Sequence, residues 1–103
     1  AWMGPSIGPQ SFEVGGEVRD AFIQQNALNL ACFAPGLQSG KYLADIYGLA
    51  RIALAEQGIS DVQGGGLDTF TDLRWFSHRR GQQLGIPSGR FATLIRLLPV
   101  QAV

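Results

Sequence analysis

The sequence predicts an α+β fold, a mixed β-sheet with helices packed against it. Three observations predict it. An apolar stripe at steps of three and four marks a helix over residues 41–57, and a shorter stripe marks another over residues 16–25. Short apolar runs bounded by Gly and Pro mark strands at the start of the chain and in its last third.

The chain opens on Ala1-Trp2-Met3, an apolar run stopped by Gly4-Pro5 as the end of a buried strand is. Two Gly-Pro pairs follow, Gly4-Pro5 and Gly8-Pro9. Proline fixes its own φ and restricts the residue before it, so the loop between them has a tightly constrained path. From Gly16 to about Gln25, Val18, Ala21 and Phe22 sit at helical spacing, and Glu17 lies in the first turn, where the helix dipole favours an anion. Residues 26–40 contain Pro35, Gly36, Ser39 and Gly40 and read mostly as loop.

Over residues 41–57, Leu43, Ile46, Tyr47, Ala50, Ala53 and Leu54 form one broad apolar face, and Gly58 stands where a C′ glycine ends a helix. Residues 59–63 are a short strand, cut off by Gly64-Gly65-Gly66. Residues 75–80 and 90–98 are two further strands, joined by a loop that holds Gly81, Gly85, Pro87 and Gly89. In the last strand Phe91, Thr93, Ile95 and Leu97 alternate with Ala92, Leu94, Arg96 and Leu98. Both sides are largely apolar, which places the strand inside a sheet.

Composition narrows the classes of function. At 103 residues the chain has room for one small domain with a modest core. Charged residues make up 16%, against about a quarter in ordinary domains, so much apolar surface must be covered. Eight basic and eight acidic residues cancel, leaving no field to gather nucleic acid or an anionic membrane. No stretch approaches the ~20 apolar residues of a membrane helix. The start lacks the basic residues and long apolar run of a signal peptide. One cysteine, Cys32, excludes an internal disulfide. A cytoplasmic location is expected, for a chain that is part of a longer one.

If residues 75–80 are extended, Trp75, Ser77 and Arg79 share one face while Phe76, His78 and Arg80 share the other. A Ser and an Arg two residues apart can jointly hold a phosphate or carboxylate, the guanidinium by a forked pair of hydrogen bonds. Arg90, after Ser88-Gly89, adds a donor from the facing strand. Ser77, Arg79, Arg80 and Arg90 are therefore the candidate anion-binding residues. The competing reading makes these arginines a solvated sheet end, or partners of Asp68 and Asp72. No catalytic residue is assigned. His78, the one histidine, has no Cys, Asp or Glu near it at the spacing zinc requires, which makes it a packed or surface residue. Cys32 reads as an inert thiol. The triple glycine lacks the Lys-Ser/Thr of a phosphate loop and the spacing of a dinucleotide fingerprint, so it reads as a tight connection.

Taken in order, the motifs Gly4-Pro5-Ser6-Ile7-Gly8-Pro9, Phe12-Glu13-Val14-Gly15-Gly16-Glu17-Val18, Gly65-Gly66, Asp68-Thr69, Phe76-Ser77-His78-Arg79-Arg80 and Gly89-Arg90-Phe91-Ala92 resemble the C-terminal part of the YfiH family. This family is also called the laccase-domain or polyphenol-oxidase-like family. The resemblance spans nearly the whole chain. It implies that residues 1–103 are a single partial domain, the C-terminal portion of a larger YfiH-like domain and a partial copy of its layered α/β fold. It implies zinc, or copper in older descriptions, held by two His and one Cys outside this chain, with no metal on these residues themselves.

The implied activities are phosphorolysis of adenosine, inosine and methylthioadenosine and deamination of adenosine, with laccase-like polyphenol oxidation also attributed to the family. The implied partners are a purine nucleoside and phosphate. Asp68 stands where members often carry Cys, and His78 where they often carry Tyr. Three readings follow. The chain is the substrate-side wall of a phosphorylase-like metalloenzyme, inactive alone. Or it is a non-catalytic folded piece, able to self-associate. Or it is a small anion-binding module built on Ser77, Arg79 and Arg90.

Overall fold

The apolar stripe over residues 41–57 divides at Asp45. In the computed structural model, which describes residues 1–96, Lys41–Ala44 is a strand and Ile46–Glu56 a helix. Asp45 is the helix N-cap, its carboxylate accepting the Gly48 N–H at 3.1 Å. The single helix expected over residues 41–57 is thus corrected to strand, cap and helix. Leu43 falls in phase with Ile46 and Tyr47 by coincidence of spacing, and the capping aspartate decides where the helix begins. Gly58 closes it with φ +77°.

Among the described residues there are five strands and three α-helices, this unit included. Trp2–Met3 is β1, Glu13–Gly15 is β2, and Gly16–Gln25 is α1. A 3₁₀ turn, Ala27–Cys32, leads into β3 at Phe33–Pro35. Lys41–Ala44 is β4, Ile46–Glu56 is α2, Gln63–Gly64 is β5 and His78–Leu84 is α3. β2, β4 and β3 form an antiparallel sheet in that order, with Val14 opposite Tyr42 and Ala34 opposite Leu43. β1 pairs in parallel with β5, Met3 opposite Gly64. The α+β class holds, with strands of both senses divided between two small sheets.

Residues 26–40 carry more structure than their composition suggests. Asn26 caps the 3₁₀ turn by accepting the Leu28 N–H at 2.9 Å, and the chain then enters β3. The strand expected at 59–63 is shifted to Gln63–Gly64. Gly64 has φ +90°, and a Cβ there would run into the Met3 carbonyl oxygen, so the β1–β5 approach requires glycine.

The two strands expected near the end are also corrected. Ser77 accepts the Arg80 N–H at 3.2 Å and caps α3, and Gly85, with φ +66°, ends it. Cap chemistry at both ends outweighs the alternation of side chains over residues 75–80. Residues 90–96 belong to no regular element, and Leu97 and Leu98 lie outside the described residues. The core is small. Val14, Cys32, Ala44, Tyr47 and Leu49 are buried where β2, β4, the 3₁₀ turn and α2 meet. Among the described residues no helix is long and apolar enough to cross a membrane.

Candidate functional site: a cationic cleft at Arg79

A cleft of about 890 Å³ opens beside β2, with Arg79, Lys41, Glu13, Ser11, Thr71 and Gln83 in its walls. It draws on the Gly-Pro loop, the β2–β4 pair, the turn after the triple glycine and α3. Arg79 reaches it from the first turn of α3. One guanidinium nitrogen donates to the Glu13 carbonyl at 3.0 Å, and the Cζ atom lies 5.2 Å from the centroid of the Phe12 ring. Both contacts hold the group by its edge and face, leaving further N–H donors for a ligand. The Glu13 carboxylate accepts the Leu37 N–H at 2.7 Å within the same lining, so the cleft sets two cations, Arg79 and Lys41, against one anion.

The adjacent arginine has a different task. Arg80 donates to the carbonyls of Thr69 at 2.8 Å, Phe70 at 3.1 Å and Trp75 at 2.6 Å. Its fork ties residues 69–75 to α3. Ser77 is buried, with its hydroxyl occupied as the helix cap. Arg90 is exposed, lies outside the cleft lining, and makes no hydrogen bond or ion pair among the described residues. There is therefore no hollow between two facing strands that gathers Ser77, Arg79, Arg80 and Arg90. Arg79 alone of the four lines the cleft. The alternative pairing with aspartates also differs from expectation, since Asp72 pairs with Arg74 at 2.7 Å.

Asp68 organises the wall behind the cleft. It accepts the Ser11 hydroxyl at 2.5 Å and the Phe70 N–H at 2.9 Å. Burial alone would raise its carboxyl, but Ser11 and the N–H groups of Gly8, Phe70 and Thr71 outweigh burial and hold it below the usual carboxylate range. A Cβ on Gly8 would come within 2.7 Å of this carboxylate, so the loop can close over it only with glycine there. The Tyr47 hydroxyl adds a second tie, accepting the Ser6 N–H and donating to the Leu67 carbonyl, both at 2.7 Å.

Sequence reasoning passed over Lys41, Ser11 and Thr71, which share the cleft with Arg79. Only the β2–β4 register could have signalled Lys41, because that pairing places it opposite Gly15.

The described residues do not make a zinc or copper site. Cys32 is buried, and burial followed by the charge of Asp45 pushes its thiol up, away from the thiolate a metal binds. His78 lies on α3, beside a separate hollow of about 480 Å³. Among the described residues no group of three or more His, Cys, Asp and Glu could hold a metal ion.

The fold is an α+β unit with a thin core and a cleft lined by Arg79 and Lys41. Residues 1–98 match the family described as multi-copper polyphenol oxidoreductase laccase, and the chain belongs to that family. The chain is 50% identical over 97 residues to a purine nucleoside phosphorylase of Pseudomonas aeruginosa, covering 93% of this chain and 38% of the relative. It is 48% identical over 100 residues to the purine nucleoside phosphorylase YfiH of Escherichia coli, covering 95% of this chain and 38% of that one.

A crystal structure of a Neisseria meningitidis protein of the DUF152 family superposes with a TM-score of 0.71 at 41% identity, over 77% of this chain and 33% of the other. The resemblance to the YfiH family is borne out. The chain spans 38% of the length of both curated relatives.

Proposed function

We propose that the chain is the C-terminal portion of a purine nucleoside phosphorylase of this family and supplies the wall that receives phosphate. One observation carries the reading. Arg79 projects into the cleft beside β2, fixed by Glu13 and Phe12 but with donors to spare. A guanidinium fork suits a phosphate oxyanion, and Lys41 across the cleft adds a second cation. In this reading Ser77 and Arg80 act one step back, shaping α3 and its preceding loop, and Arg90 lies apart.

Phosphorolysis forms a bond from a phosphate oxygen to ribose C1′ and breaks the C1′–N bond. The base leaves with the electron pair and takes up a proton. Arg79 holds the phosphate against the ribose face and balances its charge, which lowers the cost of bringing the two reactants together. Substrates of the parent protein are adenosine, inosine or methylthioadenosine, with adenosine deamination as an accompanying activity. Zinc or copper would be held by residues outside this chain. The setting is the cytoplasm, with no nucleic-acid or membrane partner.

Laccase-like polyphenol oxidation is supported by the family description. A copper cluster draws on several imidazoles, and this chain contains one His. The reading without catalysis, a folded and self-associating anion-binding module, rests on the same Arg79 cleft.

The test is the thermal stability of the chain with and without inorganic phosphate. Millimolar phosphate raises Tm by a few degrees through mass action, chloride at equal ionic strength does not, and Arg79→Ala removes the shift while Arg90→Ala keeps it. A Tm insensitive to phosphate rejects the reading. Turnover of adenosine by the pure chain, with stoichiometric zinc, rejects the assignment of the metal ligands to sequence outside it.

A further inference from the structure

We infer that the apolar groove between α1 and α2 seats the portion of a family-length domain that this chain lacks, and that its occupant, packed on Phe12, sets Arg79 for phosphate. This rests on the reading of the chain as a partial domain. The groove holds about 450 Å³, and all eight residues that line it are apolar, Phe12, Val18, Phe22, Ile46, Leu49 and Ala53 among them. α1 has no buried residue, although Val18, Ala21 and Phe22 give it an apolar side. In α2 only Tyr47 and Leu49 are buried. The apolar sides of the two helices flank the groove, and among the described residues they stay largely uncovered there.

The length of the curated relatives identifies the occupant. The chain covers 38% of the length of its curated relatives, so a family-length protein brings a further body of polypeptide larger than this one. An apolar helix or strand of that body fits a groove with no charged wall.

The groove and the cleft share structure. Val18 lines both, and Phe12 lines the groove while its ring carries the Arg79 guanidinium at 5.2 Å. An occupant packed against Phe12 fixes the ring and, through it, the cation. Docking and phosphate binding are thereby coupled.

The experiment co-expresses the full chain, tagged, with the part of Escherichia coli YfiH that lies outside its 100 matched residues. The two should co-purify at 1:1, and the complex should bind inorganic phosphate about fivefold or more tighter than the chain alone. Ala53→Arg plugs the groove from an exposed helical position and should abolish co-purification while leaving the chain's circular dichroism unchanged. Absence of a complex with the wild-type chain, a complex that tolerates Ala53→Arg, or a homodimer of the chain that Ala53→Arg dissociates each overturns the inference. So does a complex whose phosphate affinity equals that of the chain alone. Phosphate binding that survives Arg79→Ala in an otherwise normal complex would instead reject the phosphate role of Arg79.

Discussion

The Ser11 hydroxyl donates to the Asp68 carboxylate across 57 positions of sequence, and this bond joins the Gly-Pro loop to the turn that carries Thr71 into the cleft wall. It also gives the fold an acid limit. The carboxyl is held below its unfolded value of about 3.9, so its contribution is complete above that pH and is lost as pH falls through the folded value. Asp68→Asn should cost about 1–2 kcal/mol at pH 7, the worth of hydrogen bonds to a charged acceptor in a part-buried site. Urea melts of both proteins at pH 7, 5 and 3 check this. The gap should be constant from pH 7 to 5 and shrink toward pH 3.

Arg80 should prove more important for stability than for ligand binding. Its fork meets three carbonyls from two sides, a geometry that a lysine ammonium cannot reproduce. Arg80→Lys should lose about 2 kcal/mol, or roughly 10 °C in Tm. The phosphate-induced shift, measured below the new Tm, should persist. Arg90→Lys, at an exposed position, should change stability by less than about 0.5 kcal/mol.

The contrast between Arg79 and Arg80 shows what a sequence can reveal. α1 was legible because one period accounts for its apolar residues, and the α+β class followed from the mixture of periods. The start of α2 was obscured because Leu43 in β4 keeps helical phase with Ile46 and Tyr47. α3 is a seven-residue helix, too short to establish a period, and only the Ser77 and Gly85 caps betray it. Once residues 78–84 are helical, Arg79 and Arg80 point about 100° apart. One enters the cleft and the other turns to the loop carbonyls. No pattern of residue types distinguishes them, because the distinction lies in where Glu13, Phe12 and Thr69 are brought by tertiary pairing.

Tyr47 should be needed for its hydroxyl as well as its ring. It is only 4% exposed, and its oxygen serves the Ser6 N–H and the Leu67 carbonyl together. Tyr47→Phe keeps the packing but strands both backbone groups in a part-buried place, at a cost of about 1–2 kcal/mol. Hydrogen exchange locates the loss. The Ser6 amide should exchange at least tenfold faster in the variant, while amides of α1 keep their protection.

Cys32 tests the electrostatics of the core from within. Burial first, and then the Asp45 carboxylate, raise its thiol above the ordinary value. A thiol raised in the folded state costs nothing at neutral pH, where both states are protonated, and destabilises the fold as pH climbs past the unfolded value of about 8.5. At pH 8 the folded chain should react with a disulfide reagent on the order of tenfold or more slower than an unstructured cysteine peptide. Asp45→Asn separates the two causes. Asparagine caps helices as well as aspartate does, so α2 should persist by circular dichroism. The negative charge beside the sulfur disappears, and the reaction at pH 8 should quicken by roughly two- to threefold while remaining slower than the peptide because burial is unchanged. An unaltered rate would mean that burial alone controls the thiol. A rate equal to that of the peptide would mean that the junction of the 3₁₀ turn with α2 opens readily, and that Cys32 belongs to no core.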